Sequence, residues 1–156
     1  MDLAKLVTAH LDELDLKILR LLMEDARRSS KDIAEKLGVA TGTVYNRIKR
    51  LTEEGVIKGY IPIIDASKLG FELTALVLIQ ADGKFLVDVE NEISKVEGVV
   101  CVYDITGDFD AAIIARFKDR ASMNKFIKSL IAIPHIKRTV TNVVLNIVKE
   151  DPRVRI

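Results

Sequence analysis

The chain has 156 residues, of which 49% are hydrophobic and 30% charged, with a formal net charge of +1. This composition suits one ordinary globular domain or two small ones, and it excludes a disordered, highly charged chain. The single cysteine, Cys101, lies in the apolar run 99–102 and reads as a buried thiol, which excludes a disulfide framework or a cysteine-based zinc site within one chain.

The first residues, Met1, Asp2, Leu3, Ala4 and Lys5, lack the plan of a secretory signal. No stretch approaches the roughly 18 apolar residues of a membrane span, so a cytoplasmic protein with no membrane partner is expected. Leu11, Leu14, Ile18, Leu21 and Leu22 then recur at helical spacing among polar residues, which predicts an amphipathic helix over about 12–26. Ser29 followed by Asp32 is a capping-box-like start for a second helix, whose Ile33, Ala34 and Leu37 face inward and which Gly38 ends.

After Gly38, Val39 and Ala40, Thr41 is placed to cap a third helix that runs to about Glu54 and stops at Gly55. Two short helices joined by a tight turn containing glycine make a helix-turn-helix. On the third helix Val44, Ile48 and Leu51 share one narrow sector and form its core side. The opposite sector carries Gly42, Thr43, Asn46, Lys49 and Arg50, flanked by Tyr45 and Arg47.

That face offers an amide able to read adenine, cations able to read guanine or grip phosphate, and hydroxyls near a helix N-terminus. Charge supports it: residues 27–50 hold seven bases (Arg27, Arg28, Lys31, Lys36, Arg47, Lys49, Arg50) against two acids (Asp32, Glu35). Residues 65–156 balance 13 of each. A solvated helix face is the alternative for any basic amphipathic helix, but it requires neither the preceding short helix nor the three-residue turn. The expected DNA-contacting set is Ser29, Ser30, Thr41, Gly42, Thr43, Tyr45, Asn46, Arg47, Lys49, Arg50 and Lys58. The last belongs to a run over 56–64 that reads as a strand or wing.

The polar passage Asp65, Ala66, Ser67, Lys68, Leu69, Gly70 marks the boundary between a domain at 1–64 and one at 65–156. Beyond it, strand-like runs at 74–81, 99–106, 111–117 and 139–148 alternate with helix-spaced Phe85, Val89, Ile93, Val96 and Met123, Phe126, Ile127, Leu130. The order is βαββαβ, so the fold class is α+β: a winged helix-turn-helix followed by a ferredoxin-like domain. Leu76 to Ile79 and Ala111 to Ala115 are apolar on both strand faces. Helices cover one face, and a second subunit is the simplest cover for the other, which predicts a homodimer or larger assembly.

Five stretches in this order carry a specific resemblance. They are Leu11-Asp12-Glu13-Leu14-Asp15, Ile33 to Val39, Val44 to Leu51, Gly55-Val56-Ile57, and Thr106-Gly107-Asp108-Phe109-Asp110. The chain resembles the leucine-responsive/AsnC family of bacterial and archaeal regulators over nearly its whole length. The resemblance implies a distal domain of the RAM type and dimers that present two recognition helices to pseudo-palindromic double-stranded DNA. It also implies octamers built from such dimers and an amino-acid effector held between distal domains. By the same resemblance, the effector residues are Thr106, Gly107, Asp108, Phe109 and Asp110 with Thr139 and Thr141, a carboxylate such as Asp108 pairing the ammonium group. A plain hairpin turn is the alternative reading of that loop. Phe109 stands where the family often has tyrosine, and His135 where it commonly has glycine.

An effector-independent regulator is one competing function. An enzyme is another, because siroheme decarboxylases share this architecture. That chemistry calls for histidines and arginines lining a distal pocket, and the distal domain has His135 alone with Arg116, Arg120, Arg138, Arg153 and Arg155. A regulator without catalytic residues, metal or cofactor is therefore expected.

Overall fold

The computed structural model describes residues 10–156, so the start at Met1–Lys5 lies outside the described residues. The chain forms two compact units: residues up to Ile63 together with Asp151–Ile156, and Ile64–Glu150. The sequence reading assigns everything from 65 onward to the distal domain, whereas the last six residues group with the helical unit. There Arg20 Nε donates to the Ile156 carbonyl at 2.8 Å, and Val154 and Ile156 line an apolar groove with Leu16, Leu19 and Met23.

The helical unit comprises α1 (Glu13–Glu24), α2 (Ser30–Leu37) and α3 (Thr41–Glu53). Reciprocal bonds between Asp12 and Asp15 close a capping box on α1, and Ser29 and Asp32 do the same on α2, satisfying N–H groups that the helices leave orphaned. Gly38 ends α2 in the left-handed region at φ 69°, where a side chain would strain the short turn into α3. Thr41 is not the cap of α3. The N-cap is Ala40, which makes no side-chain bond, and Thr41 is the first helical residue. Ile18, Leu21, Leu22, Ile33, Ala34, Val44, Leu51 and Ile57 close the core. Burying each large aliphatic side chain contributes roughly 1.5–3 kcal/mol.

The expected strand over 56–64 is absent. The segment leaves α3 with Ile57 N–H donating to the Leu51 carbonyl at 3.0 Å, and Ile57 seals the core. No strand among the described residues pairs with residues 58–64, so their apolar pattern finds no ladder, and Tyr60, Ile61, Ile63 and Ile64 are exposed. Lys58 is exposed on this extended segment.

The distal unit runs β1 (Leu73–Ala81), α4 (Leu86–Ser94), β2 (Val99–Asp104), β3 (Ala111–Phe117), α5 (Arg120–Ile131) and β4 (Ile136–Val143). Its antiparallel sheet has the order β2-β3-β1-β4, the ferredoxin-like arrangement. Ala75, Val77, Ile79, Ala111, Ile113, Ala115 and Phe117 point to one face and are buried with Val89 and Ile93 of α4 and Phe126 and Leu130 of α5. Several ends differ from the sequence reading. Thr106 falls beyond β2, and Phe85 and Val96 flank α4 rather than belong to it. β4 begins three residues early, because the turn through His135 at φ 70° brings Ile136 opposite Ala81. It also ends at Val143, so Leu145 and Val148 are exposed.

The sheet's second face holds Leu76 opposite Ile114 and Leu78 between Ala112 and Val140, with Cys101 and Tyr103 in the same register. Cys101 is half-buried, not enclosed as the sequence suggests, because it lies on this uncovered side.

Candidate nucleic-acid interface

With its apolar sector turned inward, α3 presents Thr41, Gly42, Thr43, Tyr45, Asn46 and Lys49 to solvent. Tyr45 is 60% exposed. Lys49 Nζ lies 3.8 Å from Glu53, an exposed i,i+4 pair weak enough for the lysine to exchange partners. The N-terminus of α3 has no side-chain cap, so its first amides stay open to an anion. Ser29 is engaged in its own helix cap, donating Oγ to Asp32 at 2.7 Å. Ser30, the first residue of α2, is half-buried.

Arg47 and Arg50 sit differently. Three residues apart, they share the flank of α3 that meets α1. Arg47 Nη1 donates to Asp15 Oδ1 at 3.0 Å and also reaches the Asp12 carboxylate, and Arg50 Nη2 donates to Asp15 Oδ2. Asp15 is fully buried, the only buried charged residue among those described. Burial pushes its pKa up, but hydrogen bonds from Arg50, from the Asp12 backbone and from Arg47 outweigh this and hold it below the ordinary carboxylate value. The Arg47 guanidinium, with the Asp15 backbone N–H, lowers Asp12 to about 2.

In the sequence Asp12 and Asp15 stand out only as part of the stretch Leu11 to Asp15, which gives neither of them a role at the site. The available signal was position: Asp15 falls on the apolar stripe with Leu11, Ile18 and Leu22, and a carboxylate on a buried stripe requires a cation.

In the distal unit, residues 105–110 close the end of the sheet. Asp110 is held on three sides: its carbonyl accepts from Ile105 N–H, its N–H donates to Ile79, and its carboxylate accepts from Ala81 N–H, each at 2.9 Å. That carboxylate shapes the loop. Thr106, Gly107 and Asp108 are exposed, and the Phe109 ring lies 5.7 Å from the Arg138 guanidinium carbon at the start of β4. The loop and β4 therefore meet at this end. Thr139 pairs with Ile79 and Thr141 with Val77, which puts both threonines on the helix-covered face, half-buried. His135 stacks on Phe85 at 3.8 Å between ring centroids. A separate groove of about 840 Å³, lined in part by Phe71, Phe117, Lys118, Ser122 and Phe126, contains none of the expected effector residues.

A helix-turn-helix with an exposed polar third helix, carried on a chain with a ferredoxin-like unit, defines the class of two-part regulators with a DNA-binding domain and a ligand-binding domain. Residues 11–58 match the "Winged helix-turn-helix DNA-binding" family and residues 74–154 the "Lrp/AsnC ligand binding domain" family. An uncharacterized HTH-type transcriptional regulator of Pyrococcus furiosus is 49% identical over 92% of this chain and 97% of its own. The HTH-type transcriptional regulator Ptr1 of Methanocaldococcus jannaschii is 41% identical over 75% of this chain and 79% of its own. Among solved structures, an AsnC family transcriptional regulator from Agrobacterium tumefaciens superposes with a TM-score of 0.84 at 28% identity, covering 93% of this chain and 97% of that one. A Neisseria meningitidis transcriptional regulator, solved as a complex with L-Met, shares the fold with a TM-score of 0.84 at 21% identity, covering 93% and 96%. The chain belongs to the Lrp/AsnC family and is a DNA-binding helix-turn-helix transcriptional regulator.

No helix among the described residues is long and apolar enough to cross a membrane.

Proposed function

We propose that the protein reads specific operator sequences with the exposed face of α3, as a homodimer in the cytoplasm, and that an amino acid modulates the binding. The observation that carries this reading is the face itself. Thr41, Gly42, Thr43, Tyr45, Asn46 and Lys49 stand free on a helix whose opposite side is locked into a closed core. Asn46 supplies a bidentate donor-acceptor pair suited to adenine, Lys49 a cation for guanine or phosphate, and the threonines short hydroxyls close to the open helix end. Gly42 lets the backbone approach. Ser30 and Lys58 are the backbone contacts at the margins of this surface.

The uncovered sheet face supports dimerisation, since Leu76, Leu78, Ala112 and Ile114 form an apolar surface that a second copy would cover. Dimers can in turn join into octamers. The effector proposal has two supports: the match to a ligand-binding domain and the L-Met held by the solved Neisseria relative. Here the pocket would be completed by two distal units, with Asp108 facing the ammonium group, Phe109 beside Arg138, and Thr139 and Thr141 reached only from the helix-covered face.

Selection of bound duplexes from a randomised pool tests the reading. A two-fold symmetric consensus is expected, and failure to enrich any sequence overturns specific recognition. Sedimentation at micromolar concentration should show a dimer or larger species, against which a monomer would count. A thermal-shift screen of the twenty amino acids should find one that stabilises by about 2.7 kcal/mol at 100 times its dissociation constant. No shift with any of them would favour an effector-independent regulator.

A further inference from the structure

Two of the three basic side chains of α3 bond back onto α1 and are only partly exposed. Arg47 and Arg50 are held by Asp15, which is fully buried, and by Asp12, so that two guanidiniums and two carboxylates neutralise one another where α3 rests on α1. We infer that Asp12 and Asp15 withhold Arg47 and Arg50 from the DNA backbone, which makes Asp15 a positioning and specificity-determining residue. The inference rests on the reading of α3 as the recognition helix.

For either arginine to swing onto a phosphate it would have to leave Asp15 buried and short of a partner, and an uncompensated buried charge is strongly unfavourable. The pairs are also multiple. Arg47 bridges both aspartates and Asp15 takes both arginines, so releasing one guanidinium disturbs the others. The consequence for function is a matter of sign. Every guanidinium that reaches the backbone releases counterions and strengthens binding to all sequences alike, whereas discrimination comes from base-edge contacts. Neutralising two cations beside the reading face lowers the non-specific term and leaves the base-reading Asn46 in place. The same cluster ties α3 to α1, because Asp12 and Asp15 of the α1 capping box accept from Arg47 and Arg50 of α3.

The test uses the full-length protein and two duplexes: one selected by the wild-type protein from a randomised pool and one of unrelated sequence. Affinity is followed by fluorescence anisotropy between about 50 and 200 mM salt, where phosphate contacts dominate the salt dependence. Asp15→Asn should bind the unrelated duplex more tightly, steepen its log affinity against log salt slope by up to about 1.8 (two phosphates at about 0.9 each), and narrow the gap between the duplexes. Adding Arg50→Gln to Asp15→Asn should return about half of that steepening. Arg50→Gln alone should leave the wild-type slope where it is.

Should Asp15→Asn fail to fold, Asp12→Asn carries the same test on Arg47, since asparagine is an equally good helix cap. Its slope should also steepen, by less than one phosphate. The inference is overturned if the slope of folded Asp15→Asn, or of Asp12→Asn in its place, stays at the wild-type value. It is overturned equally if Arg50→Gln alone flattens the wild-type slope by about 0.9, because Arg50 would then already grip a phosphate. Either result leaves the recognition-helix reading standing. A wild-type protein whose affinity for both duplexes ignores salt overturns that reading and this inference together.

Discussion

The two units solve the problem of apolar surface in opposite ways. Three helices and Ile57 enclose the N-terminal core around Ile18, Ile33 and Leu51, and the outward face of α3 is left mainly to polar groups. Among the described residues the distal helices pack on one face of the sheet: Ile113 is enclosed between sheet and helices, while its neighbour Ile114 points to the other side. Charge does not divide the same way: the basic excess is local to residues 27–50, and over the whole N-terminal unit, as beyond 65, bases and acids nearly balance. The first unit turns a polar helix face to its surface, and the second leaves one apolar sheet face bare of its own helices.

The largest expected effect comes from breaking the enclosed side of the sheet. Ile113→Ala should cost about 2–5 kcal/mol in chemical or thermal unfolding, through lost burial and the cavity left behind. A cost of under about 1 kcal/mol would mean that the distal core is looser than its burial indicates.

A smaller effect, of about 1–3 kcal/mol, should follow Asn46→Ala, appearing as relaxed preference at one base position of the selected site. An equal loss on every sequence would instead make Asn46 a backbone contact and would weaken the contrast between a reading unit and an assembling one.

The smallest effect is electrostatic and appears in acid. Asp12 in the folded protein is lowered to about 2 by the Arg47 guanidinium and the Asp15 backbone N–H. The unfolded chain therefore takes up this proton first as pH falls. The stabilisation from Asp12 is complete above about pH 4 and is lost as pH drops from there toward about 2. Asp12→Asn should flatten the dependence of stability on pH in that window and leave it unchanged near neutral pH.

Much of this architecture is legible in the sequence. Helical spacing, the Ser29–Asp32 cap and Gly38 locate the helix-turn-helix, because each is a local signal with a local cause. β3 is legible to the residue, since Ala111–Phe117 is apolar nearly throughout and bounded by turn residues. The misreadings involve partners distant in sequence or backbone turns that composition does not disclose. The segment 56–64 has strand-like composition but no neighbouring edge, and β4 starts early because of a backbone turn at His135 that composition does not disclose. Thr41 reads as a cap because hydroxyls favour that position, yet the turn places Ala40 there. The exposure of Asn46 and Lys49 on α3 follows from helix periodicity alone. The redirection of Arg47 and Arg50 does not, because it depends on Asp15, more than thirty residues earlier in the chain.

If the exposed face of α3 holds DNA through its backbone and base edges, salt titration of the wild-type protein beside Lys49→Ala on one selected duplex tests this most directly. Log affinity should fall linearly with log salt for the wild type, and Lys49→Ala should make the slope shallower by about 0.9, the equivalent of one phosphate contact. A wild-type affinity that does not change with salt would contradict DNA recognition by α3.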